Sequence, residues 1–297
     1  MQTVFRKRAF PIAIACCSIL TLIAAVVGAA EMNSYCPDTT PEVTVSSDVL
    51  RLLTLNASHG RKTAWNQILV SKKKTYENLD LIASLLKEAN ADIVALQEAD
   101  APSRWSGKFD HVDYLRDKTE YRCSLMGEHA DTWFFTFGTA LLSRAQMSDV
   151  ESVSFPATPP TTTKGFVKTS IAWDVQGKIV LVTIVSVHLD FSRKSVRDKQ
   201  TDILIEELKD TESPLIVMGD LNSHWDQKRS YVRQLAENLE LAAYEPQNDH
   251  LGTYKSTDGK RLDWILVSGD LAFSRYEVLP DRVSDHLAVY AELSLTL

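Results

Sequence analysis

The stretch LIVMGDLN, residues 215–222, decides the fold and points to the chemistry of this chain. Its first four residues form an apolar run that is typical of a strand buried in a sheet. Asp220 and Asn222 follow almost at once, and an unpaired buried carboxylate is strongly unfavourable. A metal ion, a water, a phosphate group or a backbone hydrogen bond would compensate it. Because residues i and i+2 of an extended chain point to the same side, we expect both side chains to aim at one point.

The composition is that of an ordinary globular protein. The chain has 297 residues, of which 44% are hydrophobic and 24% charged, enough for one large domain or two small ones. Its formal net charge is -7, which argues against a broad basic surface for tight, non-specific nucleic-acid binding. An enzyme that contacts only a few phosphates remains compatible with this charge.

The N-terminus has the pattern of a secretory signal. Three basic residues at positions 6–8 precede 22 uncharged residues, 9–30, that end in VVGAA. Cleavage after Ala30 predicts an exported protein, periplasmic or secreted. The alternative is an uncleaved membrane anchor through residues 9–30, since 22 apolar residues can span a bilayer. We expect residues 31–47 to be a linker and residues 48–297 to form one domain.

Two cysteines remain after the signal segment, Cys36 and Cys123. Export permits a disulfide between them, although two unpaired thiols are equally compatible with the sequence.

Strand-like and helix-like segments alternate after residue 48. Apolar residues recur with helical spacing over 75–89 and 195–210, and several apolar runs lie between and after them. The runs 168–175 and 178–189 flank Gly177 and predict a hairpin. Strands joined by short turns, mixed with strands joined by helices, predict stacked sheets with helices outside, an α/β fold.

Six predicted strands carry a metal-binding or acid–base residue type at one end. These positions are Asn56, Glu98, His188, Asp220, Asp263 and the pair Asp285–His286. Such a bias suggests that the strand ends converge on one rim of the sheets. Carboxylate oxygens suit Mg²⁺ or Mn²⁺ better than zinc, and histidines beside them can hold phosphate oxygens. The set therefore predicts a phosphate-handling site.

The same residues carry a family resemblance. The motifs ALQE (95–98), VHL (187–189), GDLN (219–222), RLDWILVS (261–268) and SDH (284–286), in this order, resemble those of the endonuclease/exonuclease/phosphatase superfamily. The resemblance spans roughly residues 48–295. It implies a four-layer α/β sandwich, two stacked mixed β-sheets flanked by helices, and metal-dependent cleavage of a phosphoester.

The resemblance implies a metal site and its ligands. Glu98 corresponds to the principal Mg²⁺ ligand, with Asn56 and Asp285 nearby. Some branches of the superfamily carry a further acid two residues after the strand-end Asn, where this chain has Ser58. We therefore expect one catalytic ion, Mg²⁺ with Mn²⁺ as a substitute.

It also implies catalytic roles. Asp220 resembles the residue that orients or deprotonates the attacking water, and Asn222 resembles a phosphate contact. His286 resembles the phosphate-binding imidazole, held by Asp263. His188 resembles the second histidine of the deoxyribonuclease and sphingomyelinase branches. A carboxylate beside an imidazole favours its protonated form, which offsets charge on the reacting phosphate.

Other candidates have a plain structural alternative. His59 is a candidate substrate contact or a turn histidine, and Arg197 a candidate substrate contact or the basic start of a surface helix. We expect His129 to be solvent-exposed.

These observations predict an exported, Mg²⁺-dependent hydrolase of phosphodiester bonds, with an endonuclease-like nuclease favoured. Alternatives are a sphingomyelinase-like or inositol-phosphate phosphoesterase, or a non-catalytic binding module of the same fold. Nucleic acid is favoured over phospholipid because no lipid-inserting hairpin is recognisable in the sequence. No protein partner can be inferred, and we expect a monomer.

Overall fold

The structure is a computed structural model that describes residues 28–29, 31–38, 43–212, 214–254 and 259–296. The predicted signal or anchor segment, through residue 27 and at residue 30, lies outside the described residues.

The described chain contains fifteen strands, four α-helices and three short 3₁₀ segments. The strands are β1 (Gly28–Ala29), β2 (Glu31–Tyr35), β3 (Val45–Ser46), β4 (Leu50–Asn56), β5 (Ile93–Asp100), β6 (Cys123–Asp131), β7 (Thr136–Ser143), β8 (Met147–Ser154), β9 (Gly165–Val175), β10 (Lys178–His188), β11 (Leu215–Asp220), β12 (Leu241–Ala243), β13 (Asp263–Ser268), β14 (Leu271–Val278) and β15 (Val289–Leu295). The helices are α1 (Lys72–Ala89), α2 (His111–Thr119), α3 (Lys194–Leu208) and α4 (Tyr231–Asn238), and the 3₁₀ segments are Ser58–Gly60, Gln67–Leu69 and Asp249–Leu251. Within the described ranges, none of the helices has the length and apolar character needed to cross a bilayer.

The strands form two mixed sheets. The first has the order β1-β8-β9-β10-β11-β13-β12, with β3 beside β9, and the second has the order β14-β15-β4-β5-β7-β6-β2. The hairpin around Gly177 is confirmed as β9 and β10, which pair in register from Val175 and Lys178 to Gly165 and His188. Helices α1 and α3 cover the two segments predicted from helical spacing.

Three hydrophobic layers hold the sheets and helices together. Strand β4 shows the pattern, because Leu50 and Leu52 enter the core between the sheets while Leu53 and Leu55 pack against α1 and α2. On the outer face of the first sheet, α3 and α4 cover β10, β11 and β13. The order helix, sheet, sheet, helix confirms the predicted four-layer α/β sandwich.

The segment 31–47, expected to be a linker, contributes strands to both sheets. Strand β2 pairs with β6 at the edge of the second sheet, and β3 pairs with β9 of the first. Cys36, directly after β2, forms a disulfide with Cys123 at the start of β6. The polar composition of this segment suits edge strands, which bury few side chains: all five residues of β2 are exposed.

His129, expected at the surface, is buried between the sheets instead. Its ring nitrogens lie 3.1 Å from Ser154 Oγ and 2.8 Å from Thr139 Oγ1. Three glycines make room for the ring, since a Cβ atom at Gly127 or Gly165 would lie within 2.8 Å of His129 Cε1 and one at Gly138 would lie 3.0 Å from its Cδ2. The sequence around His129 does not reveal that such a pocket forms.

One end of the sandwich collects the polar strand termini. A row of directly paired residues crosses the first sheet there: Gly28, Ser154, Gly165, His188, Asp220 and Asp263. Asn56 and Glu98 bring the ends of β4 and β5 to the same place, because Asn56 bonds Asp220 and Glu98 lies beside His188. We call this end of the sandwich the polar rim.

Candidate active site

A cleft of about 360 Å³ opens at the polar rim. Its lining comprises Arg61, Glu98, His188, Phe191, Asp220, Asn222, Tyr254, Leu262, Asp285 and His286. Six of these residues were predicted from the sequence as site residues. Strands β10, β11 and β13 bring His188, Asp220 and Asp263 into register, so the convergence of strand ends follows from the sheet pairing itself.

Asp220 lies at the centre of the site and is buried. Its Oδ2 accepts a hydrogen bond from Asn56 Nδ2 at 3.0 Å, and its Oδ1 accepts one from the Asn222 backbone N–H at 2.9 Å. Two histidine Nε2 atoms also face Oδ2, that of His188 at 3.5 Å and that of His286 at 3.8 Å. Burial, only partly offset by the His286 charge, raises the pKa of Asp220 to about 7.

Asp263 fixes the His286 ring. Its Oδ2 lies 2.8 Å from His286 Nδ1 and also accepts a hydrogen bond from Thr253 Oγ1 at 2.6 Å. Burial opposes a charge on the ring, but the Asp263 and Asp220 carboxylates outweigh it and raise the pKa of His286 to about 10. His286 is therefore an imidazolium at neutral pH, with its Nε2 side directed at Asp220.

A second arrangement of the same kind holds Glu98. His59 Nδ1 lies 2.7 Å from Asp100 Oδ1, and His59 Nε2 lies 3.2 Å from Glu98 Oε2. Trp105 Nε1 donates to the other oxygen of Asp100 at 2.7 Å. Despite burial, Asp100 and Glu98 raise the pKa of His59, so this ring also tends to carry a charge.

Glu98 stands at a β-bulge in strand β5. The bulge breaks the pairing with β7 between Gln97 and Ala99, and Glu98 adopts a φ of +49°. This left-handed conformation is uncommon for glutamate and turns its side chain toward the cleft. Burial disfavours the charged carboxylate, but His59, Lys164 and His188 more than compensate and lower the pKa of Glu98.

His188 differs from the other two histidines because a cation lies behind it. Lys164 Nζ is 3.3 Å from His188 Nδ1, and an ammonium group can only donate, so the imidazole proton is assigned to Nε2. That N–H then faces Asp220 Oδ2 and, at 4.0 Å, Glu98 Oε1. Burial and the Lys164 charge lower the pKa of His188 well below its usual value, which keeps the ring neutral.

The residues of the cleft provide oxygen ligands for a hard cation. Glu98 is ionised and faces the cleft, and Asp285 has one oxygen bonded by Arg61 Nη2 at 3.1 Å and the other 3.4 Å from Ser284 Oγ. Asn56 Oδ1 accepts from the Ser58 N–H at 3.0 Å and keeps one lone pair. This donor set fits Mg²⁺.

A tighter group, Asp220, Asp263 and His286, has ligand atoms within 4.8 Å of one another. A protonated imidazole has no lone pair to offer a metal, so this group is better described as an ion-paired histidine between two carboxylates.

Of two further predicted substrate contacts, Arg197 lies outside the lining of the cleft and His59 lies at the site in another role. Arg197 is buried, where it donates to the Asp190 backbone oxygen at 2.6 Å and its guanidinium lies 5.1 Å from the centre of the Tyr231 ring. Arg197 therefore holds the loop after β10 instead of making the expected contact with substrate. His59 is at the site, but as the buried bridge between Glu98 and Asp100.

Sequence reasoning missed Arg61, Phe191, Tyr254 and Leu262 in the lining of the cleft, and Lys164 and Asp100 behind it. Lys164 and Tyr254 belong to irregular segments, and no pattern links them to the strand ends. Asp100 carried a weak signal, since it follows Glu98 by two residues in the same strand.

Comparison with known proteins identifies the class. The model of the Endonuclease/Exonuclease/phosphatase family matches residues 53–286. The chain belongs to this family, whose members are phosphoesterases.

Solved structures agree on the fold. An endonuclease/exonuclease/phosphatase family protein from Leptotrichia buccalis is 18% identical with a TM-score of 0.64, and the alignment covers 83% of this chain and all of that one. The human Nocturnin catalytic domain with bound sulfate is 18% identical with a TM-score of 0.63, covering 86% of this chain and 96% of that one. A mannosyl-6-phosphatase from Bacteroides thetaiotaomicron is 17% identical with a TM-score of 0.62, and the alignment covers 83% of this chain and 100% of that one. No curated protein sequence matches the chain significantly.

Proposed function

We propose that this protein is a Mg²⁺-dependent phosphodiesterase. The observation that carries the proposal is the position of Asp220, a buried carboxylate between a neutral imidazole and an imidazolium in a cleft that also holds the ionised Glu98. A base, a fixed cation and a set of oxygen ligands within one cleft are what hydrolysis of a phosphate ester needs.

Asp220 acts as the general base. A general base works best when its pKa lies near the operating pH, and burial brings the pKa of Asp220 to about 7. The hydrogen bonds from Asn56 and from the Asn222 N–H fix the carboxylate in the wall of the cleft. Water bound there gives its proton to Asp220 as its oxygen attacks phosphorus.

His286 stabilises the charge that develops on phosphate. Its imidazolium is held by Asp263 at 2.8 Å and cannot rotate away. A fixed positive group beside the non-bridging oxygens stabilises the transition state more than the ground state, because it needs no reorganisation. The neutral His188 contributes an Nε2–H donor from the opposite side of Asp220.

Glu98 and Asp285, with Asn56 behind them, would hold the divalent ion. Such an ion, when bound, polarises a phosphoryl oxygen and neutralises part of its charge. A bond forms between the water oxygen and phosphorus, and the bond from phosphorus to the leaving oxygen breaks. The leaving oxygen takes a proton from solvent and Asp220 returns its proton to solvent, so that an alcohol and a phosphomonoester result.

Nucleic acid, favoured from the sequence, is the first candidate substrate, and an exported nuclease is the corresponding proposal. A phospholipid headgroup is the second candidate. It is favoured by one specific observation, the exposed apolar side chain of Phe191 in the lining of the cleft.

A substrate panel tests the proposal directly. The purified protein with Mg²⁺ is assayed on plasmid DNA, single-stranded RNA, sphingomyelin, inositol phosphates and a bis-aryl phosphodiester. We expect hydrolysis of at least one phosphodiester, its loss after chelation, and its loss in Asp220→Ala and His286→Ala. Unchanged turnover in both variants would refute the assignment of the site.

A further inference from the structure

The loops of the polar rim carry an unusual number of exposed large apolar side chains. Trp65 is 93% exposed, Leu69 81% and Trp133 78%, and Ile68 and Phe191 are also exposed. They come from three separate loops: the one after β4, the tip of the β6–β7 hairpin, and the one after β10. Soluble surfaces rarely concentrate such residues in one region unless they bind something.

The sheet pairing places all three loops at the same end as the cleft. Strand β4 ends at Asn56, which bonds Asp220. The hairpin tip joins the rim because Phe137, at the start of β7, pairs with Asp100 of β5. The loop after β10 begins at His188, and its Phe191 lines the cleft. No lipid-inserting hairpin is recognisable in the sequence, whereas in the structure Trp133 is exposed and its neighbours Phe134 and Phe135 are half-buried.

The N-terminal segment meets the fold at this end too. Gly28 pairs with Ser154, which pairs with Gly165, and Gly165 pairs with His188. Since β1 runs antiparallel to β8, it starts at the rim and leads away from it. Gly28, the first described residue of the chain, therefore lies at the same end as the cleft.

Charge near the first loop suits an anionic surface. Residues 61–74 contain five basic side chains and no acidic one. Lys72, Lys73 and Lys74 are exposed and begin α1, whose first turn holds no acid. Lys74 Nζ pairs with Glu77 at 3.0 Å and Lys72 Nζ lies 5.8 Å from the centre of the Tyr76 ring, and both side chains remain exposed at the surface. Lysines beside interfacial tryptophans are typical of a surface that binds anionic lipid.

We propose that the polar rim docks on a phospholipid bilayer, with the side chains of Trp65, Ile68, Leu69 and Trp133 entering the headgroup region and the cleft facing the membrane. Aliphatic residues such as Ile68 and Leu69 favour a bilayer over a nucleic acid, since they offer no face for base stacking. Tryptophan is the side chain most suited to the interface between water and lipid. The inference rests on the proposed function in one respect. The end of the protein that docks is the end that carries the proposed active site.

Bromolipid quenching of tryptophan fluorescence tests the docking. The full chain is reconstituted into vesicles of phosphatidylcholine and phosphatidylglycerol, with and without brominated phosphatidylcholine. We expect quenching in the wild type, stronger with more phosphatidylglycerol, and a large loss of that quenching in Trp65→Ser/Trp133→Ser. Thermal unfolding of the variant verifies that it is folded.

Two controls separate docking from other effects. Ile179→Ser/Leu181→Ser removes two apolar residues, each 55% exposed, at the far end of β10, and quenching should not change. Asp220→Asn removes the base, and quenching should persist, so a failure of the proposed catalysis leaves this test intact. Equal quenching in the wild type and in Trp65→Ser/Trp133→Ser would overturn the inference. Quenching of Trp65 by an oligonucleotide but not by bromolipid would also overturn it.

Discussion

Asp263, at the start of β13, and His286, just before β15, form a close carboxylate–imidazole contact in the wall of the cleft. The distance between Asp263 Oδ2 and His286 Nδ1 is 2.8 Å. This contact predicts that replacing Asp263 shifts the alkaline limb of the pH–activity profile. Activity needs the charged ring, whose pKa is raised to about 10, so activity is lost as the pH rises through that value. Asp263→Asn removes one of the two carboxylates that raise the pKa, and the alkaline limb should move to lower pH.

The loss of kcat in Asp263→Asn should not exceed the about 10²–10³-fold that removal of a transition-state donor produces. Thr253→Val is the matched control, because it removes a hydrogen bond to the same carboxylate but no charge. An unmoved alkaline limb in Asp263→Asn would show that His286 does not act as a cation.

Asp220→Asn should abolish catalysis at some expense in stability, because its amide nitrogen would face the N–H groups that Oδ2 now faces. The amide preserves the size of the side chain and can still accept from the Asn222 N–H, but it cannot take a proton from water. We expect kcat to fall by about 10²–10⁴-fold, the usual contribution of a general base. Steady-state kinetics together with the midpoint of thermal unfolding measure both quantities. A folded variant with wild-type turnover would contradict the role.

Glu98→Gln should weaken Mg²⁺ binding more than Asp220→Asn does. Glu98 offers an ionised oxygen to the cleft, whereas Asp220 is engaged by Asn56, Asn222 and two imidazoles. Titration calorimetry with Mg²⁺ on the wild type and both variants gives the affinities. If Asp220→Asn were the variant that loses the ion, the metal would lie in the group formed with Asp263 and His286.

His129 predicts a loss of stability in mild acid. Burial, with a smaller effect of Lys164, lowers its pKa to about 3 in the folded state, while the unfolded chain has the ordinary value near 6.5. As the pH falls below 6.5 the unfolded state alone takes up this proton, so stability decreases down to about pH 3. The slope from this residue is at most about 1.4 kcal/mol per pH unit.

Denaturant unfolding of the wild type and of His129→Gln across this range measures that slope, which should be smaller in the variant. His250→Gln, at an exposed position, is the control and should leave the slope unchanged.

The Cys36–Cys123 disulfide should stabilise the fold by closing a long loop. The two residues are 87 positions apart, and breaking such a link typically costs about 2–4 kcal/mol. Cys36→Ser should lower the free energy of unfolding by this amount, measured by denaturant titration. The reduced wild type should behave like the variant, and equal stability of oxidised and reduced protein would exclude a structural role.

The sequence predicted the frame of the site because strand pairing is regular. Once β10, β11 and β13 are recognised as strands, the positions of His188, Asp220 and Asp263 at their ends follow from register. Asp220 and Asn222 both line the cleft, but not as residues i and i+2 of an extended chain, and the Asn222 amide donates to the Leu189 backbone oxygen. Strand β11 ends at Asp220, and Asn222 adopts a φ of +46° in the following turn rather than an extended conformation.

What the sequence could not predict depends on irregular backbone and long-range packing. Lys164 reaches His188 from the end of the irregular loop between β8 and β9, where it is buried. His129 has glycine neighbours that are far apart in sequence and meet only when the sheets stack. Helices α2 and α4 are short, with nine and eight residues, and too few turns to show a clear period.

The backbone at Glu98 has a consequence for any attempt to make this protein more robust. A left-handed φ at a glutamate is held in place by the surrounding sheet at an expense of about 1–3 kcal/mol. Glycine at this position would relieve that strain, but it would remove the anionic ligand and leave the buried His59 with one carboxylate partner instead of two. A search for heat-resistant variants should therefore leave this position unchanged, because the strained backbone and the ligand belong to the same residue.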